Sequence, residues 1–274
     1  MRAEDELCPV ADGTLRVRRT GMGPPLLLIA GGLGGVESYR PLTRRLAGRY
    51  TVLGYDRRGH FHSTDETSGP VTVRTQAVDA AAVIRHFGYD HALVFGSSAG
   101  ALIALELAAI RPGLVRAVVA HEPPAVRLLG DGDHWLAFAD ELVALAETDL
   151  LTAFTRFVRS LAGAAGPDLK AVALPFERDW IRLFGREMRE FYRYLPDVAA
   201  LRACGVPVIP AGGEDSRGFY HHRPAELLAD ALDVPFAEVP GAHLGPQRNA
   251  GQFAGRLTTL LHDTVPTPSA TEPG

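Results

Sequence analysis

Lysine is nearly absent from this chain: Lys170 is the single one in 274 residues, so the cationic side chains are almost all arginine. Cysteine is almost as scarce. Cys8 and Cys204, far apart in sequence, are the only two, too few for a disulfide framework or a cysteine-built metal centre. Two free thiols in a reducing compartment are expected. No apolar stretch approaches the length that crosses a bilayer. The opening stretch, MRAEDELCPVADG, is acidic and lacks the apolar core of a secretory signal. A cytoplasmic protein with no membrane partner is therefore expected. An excess of charge is missing too: the net charge of −4 leaves no basic footprint for nucleic acid.

What is present is an ordinary globular composition, 46% hydrophobic and 22% charged, long enough for one large domain or a domain with an insertion. Residues 25–30 (PLLLIA) form a continuous apolar run, the mark of a strand covered on both faces. Further strands are expected at 14–19 (an edge strand), 51–55, 92–95 and 115–120. Helices are expected at 38–50, 71–87 and 99–110. This alternation predicts a mostly parallel sheet with helices on both faces. The rhythm breaks from 125 to 203, where only helical periodicity is seen: Leu151, Phe154, Val158 and Leu161 form one stripe, Trp180, Phe184, Met188 and Phe191 another. Strands at 206–209 and 236–239 and helices at 224–232 and 249–262 complete the pattern. Expected boundaries are a core of 1–124 with 204–262, a helical cap of 125–203, and a disordered tail of 263–274 rich in Pro, Thr and Ser.

Between the strand at 92–95 and the helix at 99–110 stands Gly96-Ser97-Ser98-Ala99-Gly100, a G-x-S-x-G segment. A serine on so tight a turn is lifted out of the sheet at a helix N-terminus, where free N–H groups favour negative charge. The glycines let strand and helix approach without a Cβ clash. Ser98 is the candidate nucleophile; Ser97 is read as structural. A serine needs donors for the oxyanion that forms on attack. The N–H of Ala99 is one candidate. Gly32, in the glycine-rich loop after PLLLIA, is the second, with Leu33 as its alternative.

Serine also needs a base. Of ten histidines, His243 has the fitting place, in a loop (VPGAHLG) after the last strand and before the last helix. His60 and His62 lack the further ligands of a metal site. His221 and His222, ahead of a helix, read as solvated. His121 adjoins Glu122 in Ala120-His121-Glu122-Pro123-Pro124 and is a candidate to line the pocket. Glu122 itself closes an apolar strand, which suits either a solvated hinge or a catalytic carboxylate.

These pieces, LLLIAGGLGG, GYDRRGHFHS, VFGSSAG and VPGAHLG in this order, resemble the α/β-hydrolase superfamily over nearly the whole chain. Ala30 stands where many members carry His, and Phe61 replaces a common glycine. The resemblance implies an α/β-hydrolase fold and an acid after the strand following the cap, which points to Asp215. AHEPP, however, looks like the His-Glu-x-Pro motif of the zearalenone-lactonase type of α/β-hydrolase, in which that glutamate is the triad acid. Glu122 is therefore preferred, with Asp215 as the alternative. The same subgroup uses a cap tryptophan, which implies Trp180 as a substrate contact.

The expectation is thus a serine hydrolase cleaving an apolar ester or lactone, of the kind of a polyketide-like macrolactone, through Ser98, His243 and Glu122, with no cofactor and no metal. A homodimer is compatible with the sequence and not decided by it. Serine at the elbow departs from the aspartate of haloalkane dehalogenases and related epoxide hydrolases. A thioesterase, a C–C bond hydrolase or lyase, a perhydrolase and a non-catalytic small-molecule binder remain rival readings.

Overall fold

The structure is a computed structural model that describes residues 4–32, 34–162 and 177–264. The chain begins with a hairpin, β1 (Asp5–Val10) and β2 (Gly13–Thr20), turning at Asp12 with φ 57°. Then follow β3 (Pro25–Ile29), β4 (Thr51–Tyr55), β5 (Ala92–Ser97), β6 (Val115–His121), β7 (Val208–Gly213) and β8 (Ala237–Val239). They make one sheet in the order β1-β2-β4-β3-β5-β6-β7-β8. β1 pairs antiparallel with β2, and β2 with β4; the remaining pairs are parallel.

Helices cover both faces, which is why the central strands read as unbroken apolar runs. One face packs against α1 (Arg40–Leu46) and the C-terminal helices, with Leu42, Phe95, Val119, Phe253 and Leu257 in its core. The other packs against α2 (Val73–His86) and α3 (Ala99–Ile110), and its core continues into the helices between β6 and β7. Those are α4 (Gly132–Ala146), α5 (Leu150–Ala162), α6 (Glu177–Arg182), a π-helical segment (Leu183–Glu187), α7 (Met188–Arg193) and α8 (Val198–Ala203). α9 (Arg223–Leu232) follows β7; α10 (Gly245–Arg248) and α11 (Ala250–Thr264) end the described chain.

Three expectations need correction. The edge strand expected at 14–19 is flanked by β1, which carries Pro9 and two carboxylates and shows no apolar alternation; only Cys8 of β1 is buried. The helix expected at 38–50 is a 3-10 turn (Val36–Tyr39) followed by the shorter α1. Asp263 and Thr264, assigned to the tail, belong to α11; the rest of the tail lies outside the described residues.

Candidate active site

Every candidate catalytic group sits beyond the carboxyl end of a parallel strand, where open α/β sheets place their ligands. Ser98 follows β5 directly, at φ 57° and ψ −129°, a conformation that L-residues adopt only at a cost. Two observations show what enforces it. The Ser98 N–H donates to the His121 carbonyl at 2.8 Å, tying the turn to β6. A methyl on Gly96 would lie 2.2 Å from the Gly100 carbonyl oxygen, and one on Gly100 would lie 2.2 Å from that of Ile29. The glycines thus bring β3, β5 and α3 closer than any side chain permits, and α3 starts at Ala99 with its first N–H groups beside the serine. Gly31 passes equally close: a methyl there would lie 2.9 Å from Ser98 Cβ. Gly32 follows in the same loop, while Leu33 lies outside the described residues.

Glu122 ends β6 at φ 47°, with its N–H held by the Ala211 carbonyl of β7 at 2.9 Å. This left-handed turn, with Pro123 and Pro124 behind it, directs the carboxylate sideways instead of outward. Oε1 accepts from the Gly213 N–H at 2.8 Å, and Oε2 accepts from His243 Nδ1 at 2.6 Å. Burial alone would raise the Glu122 carboxyl. The neighbouring histidines, His121 and then the hydrogen-bonding His243, outweigh it and hold the group well below the usual carboxylate range. His243 arrives on the loop after β8, against which β7 packs so tightly that a methyl on Gly213 would lie 2.3 Å from the Gly241 carbonyl oxygen. Among the described residues Ser98 Oγ and His243 Nε2 make no hydrogen bond, a contact that often tightens only once substrate is bound.

Asp215 follows the alternative strand but is exposed, and only its backbone N–H reaches the histidine loop, donating to the Gly241 carbonyl at 3.1 Å. The side chain paired with His243 is therefore that of Glu122.

Two expected substrate contacts are placed elsewhere. Trp180 is buried edge-on against Phe154, with ring centroids 4.0 Å apart, inside the helical insertion. His121 is fully buried behind the site, hydrogen-bonded to Ser97 Oγ at 2.8 Å and stacked on Phe95 and His243. Its burial depresses the imidazole to about 4, against an opposing pull from Glu122, so it is neutral at pH 7. Neither side chain lines the cavity over Ser98.

The residue that sequence reasoning missed is His221, read there as solvated. It is fully buried and lines the cavity. Its ring lies 4.4 Å from that of His243, and its Nε2 is 3.3 Å from Glu122 Oε2. Neither ring nitrogen has a hydrogen-bond partner among the described residues. Burial first, and then the neighbouring His243, push it well below the usual histidine range. His222 is buried as well. Both face inward because the turn Phe219–Arg223 folds back against β7, a tertiary event with no local signal.

Glu122, His221 and His243 hold metal-type ligand atoms within 4.8 Å of one another. Two ligands on one zinc ion stand about 3.3 Å apart; the 2.6 Å between His243 Nδ1 and Glu122 Oε2 is the spacing of a shared proton. The cavity itself is small, about 20 Å³, room for about one water. Its roof, including Phe157, Leu183, Met188, Phe191 and Tyr192, comes from the insertion.

Fold and strand-end geometry together define an α/β hydrolase. Residues 24–198 match the family described as alpha/beta hydrolase fold, and the chain belongs to that family as a hydrolase. It is 30% identical to an uncharacterized hydrolase, YraK, of Bacillus subtilis (strain 168), across 92% of this chain and 96% of that one. Two solved structures share the fold at 19% identity. One is a hydrolase of Pseudomonas aeruginosa PA01, with TM-score 0.76, covering 95% of this chain and 98% of that one. The other is the enol-lactonase of Burkholderia xenovorans LB400, with TM-score 0.75, covering 93% and 99%.

Proposed function

We propose that this protein is a serine hydrolase of an apolar ester or lactone that works through Ser98, His243 and Glu122. The observation that carries the reading is the 2.6 Å contact of His243 Nδ1 with Glu122 Oε2 at the same sheet end as the strained Ser98. Ser98 Oγ attacks the carbonyl carbon while His243 Nε2 takes its proton. The N–H groups of Gly32 and Ala99 stabilise the oxyanion. His243 returns the proton to the leaving alkoxide, which in a lactone stays tethered as the new hydroxyl. Water, deprotonated by His243, then attacks the acyl-enzyme and releases the acid and Ser98. Glu122 fixes the Nδ1–H tautomer and stabilises the imidazolium. Every group in this scheme is a side chain or backbone amide, so the chemistry needs no cofactor.

The substrate class follows from the lining. Phe157, Leu161, Leu183, Met188 and Phe191 are apolar, and His221 offers Nδ1, without a hydrogen-bond partner among the described residues, for one polar atom of the ligand. The insertion acts as a cap, and a cavity of about 20 Å³ requires it to shift before an acyl chain or macrolactone enters. The lactone reading draws on AHEPP, and the fold is one that an enol-lactonase shares. Turnover of p-nitrophenyl esters, a resorcylic macrolactone and a matched thioester, followed by mass spectrometry beside Ser98→Ala, tests it. Gain of one water by ester or lactone with the wild type alone supports the reading; isomerised product, or equal turnover by Ser98→Ala, defeats it.

A further inference from the structure

Behind the glycine loop lies a charged cluster that the scheme above does not use. Arg57, from the loop after β4, is 1% exposed, and Glu187, the last residue of the π-helical segment, is fully buried. Arg57 Nη1 donates to Glu187 Oε2 at 2.9 Å and to Gln76 Oε1 at 2.6 Å; His60 Nε2 meets Glu187 Oε2 at 2.9 Å. Such a pair is costly to bury, and apolar residues of the same volume are often as stabilising. The rest of the guanidinium shows what it is used for. Nε donates to the Gly31 carbonyl at 3.3 Å and Nη2 to the Gly32 carbonyl at 3.4 Å.

The Gly31 carbonyl belongs to the same planar peptide unit as the Gly32 N–H, and in a trans peptide the two point in opposite directions. A cation on that oxygen therefore aims the N–H and strengthens it as a donor. We propose that Arg57 is a positioning residue that orients and polarises the Gly32 oxyanion donor, with Glu187 of the insertion as its counter-ion. The inference rests on the oxyanion assignment made above. The π turn, a geometry frequent at functional sites, serves the loop twice. It delivers Glu187 to Arg57, and it sets Leu183 against Gly32, where a methyl would lie 3.1 Å from Leu183 Cδ1. Burial would raise the Glu187 carboxyl, but Arg57 and His60 outweigh it and hold it at about 2, so the pair stays charged.

The test is the double variant Arg57→Met/Glu187→Gln, which removes both charges without leaving either one buried alone. The measurements are melting temperature, kcat and KM on p-nitrophenyl butyrate, and hydrogen exchange of the Gly31 and Gly32 amides. The expected result is a folded protein with kcat lowered roughly 10²-fold, KM changed little, and faster exchange at those amides. Arg57→Lys keeps a charge for Glu187 but loses the fork onto two carbonyls; it is expected to keep the melting temperature and share the kcat loss, and it carries the test if the double variant does not fold. Wild-type kcat and unchanged exchange in these variants overturn the proposal. The exchange measurement needs no catalysis, so a failure of the serine mechanism, seen as activity retained by Ser98→Ala, is told apart from a failure of Arg57.

Discussion

His243 and Glu122, 121 residues apart in the chain, share a hydrogen bond of 2.6 Å. Two backbone devices produce it. Glu122 turns through a left-handed conformation after β6, and the histidine loop is drawn in by contact between Gly213 and Gly241. The second oxygen of Glu122, fixed by the Gly213 N–H, leaves the carboxylate one orientation. The pair is therefore built into the strand ends and does not depend on the insertion.

The glycines flanking Ser98 leave no room for a side chain. Gly100→Ala would drive its Cβ to 2.2 Å from the Ile29 carbonyl oxygen, which is backbone and cannot rotate away. A stability loss of about 3 kcal/mol or more is expected, measured by urea unfolding. Gly255→Ala in α11, where no atom of the described residues lies within 4 Å of the added methyl, is the control and is expected to be neutral or slightly stabilising.

Acid should unfold the protein earlier than its carboxylates alone require. His121 falls from the ordinary 6.5 to about 4, and His221 falls well below 6.5, both chiefly through burial. Above pH 6.5 these imidazoles are neutral whether folded or unfolded and contribute nothing to the pH dependence. Below it the unfolded chain takes up protons that the folded one refuses, so stability drops as pH falls from about 6.5 towards 4. The slope approaches about 1.4 kcal/mol per pH unit for each histidine. Melting temperature against pH should be flatter across this window in His121→Asn/His221→Leu, and an unchanged slope would contradict the assignment.

Trp180 and Met188 separate packing from recognition. Trp180 lies against Phe154 away from the cavity, so Trp180→Ala should cost about 3–5 kcal/mol of stability while leaving the relative kcat/KM for short and long acyl esters unchanged. Met188 lines the cavity, so Met188→Ala should shift that ratio towards long chains. The measurement is kcat/KM across a p-nitrophenyl ester series.

Much of this was legible in the sequence because the physics is local. PLLLIA carries the mark of a strand covered on both faces, and G-x-S-x-G between a strand and an Ala/Leu helix leaves one place for Ser98. Phe61, noted as departing from a glycine, indeed takes a left-handed conformation, φ 48°. What escaped was set by tertiary packing. β1 is an edge strand whose charges face solvent. His221 and His222 are buried by a turn that folds back on β7. Trp180 follows a helical period that marks a core position as well as a pocket. Spacing alone left Glu122 and Asp215 both open; the preference for Glu122 came from the AHEPP resemblance, and it is Glu122 whose carboxylate meets His243.

The measurement that bears most directly on the mechanism is kcat/KM of Glu122→Gln and Asp215→Asn on one activated ester, with melting temperatures alongside. Glu122→Gln keeps the shape but loses the anion that fixes the His243 tautomer, and a fall of about 10³- to 10⁴-fold is expected; Asp215→Asn should stay within about twofold of wild type, as an exposed residue outside the hydrogen-bonded pair. Loss of activity in Asp215→Asn with Glu122→Gln near wild type would contradict the account and return the acid to the strand after the insertion.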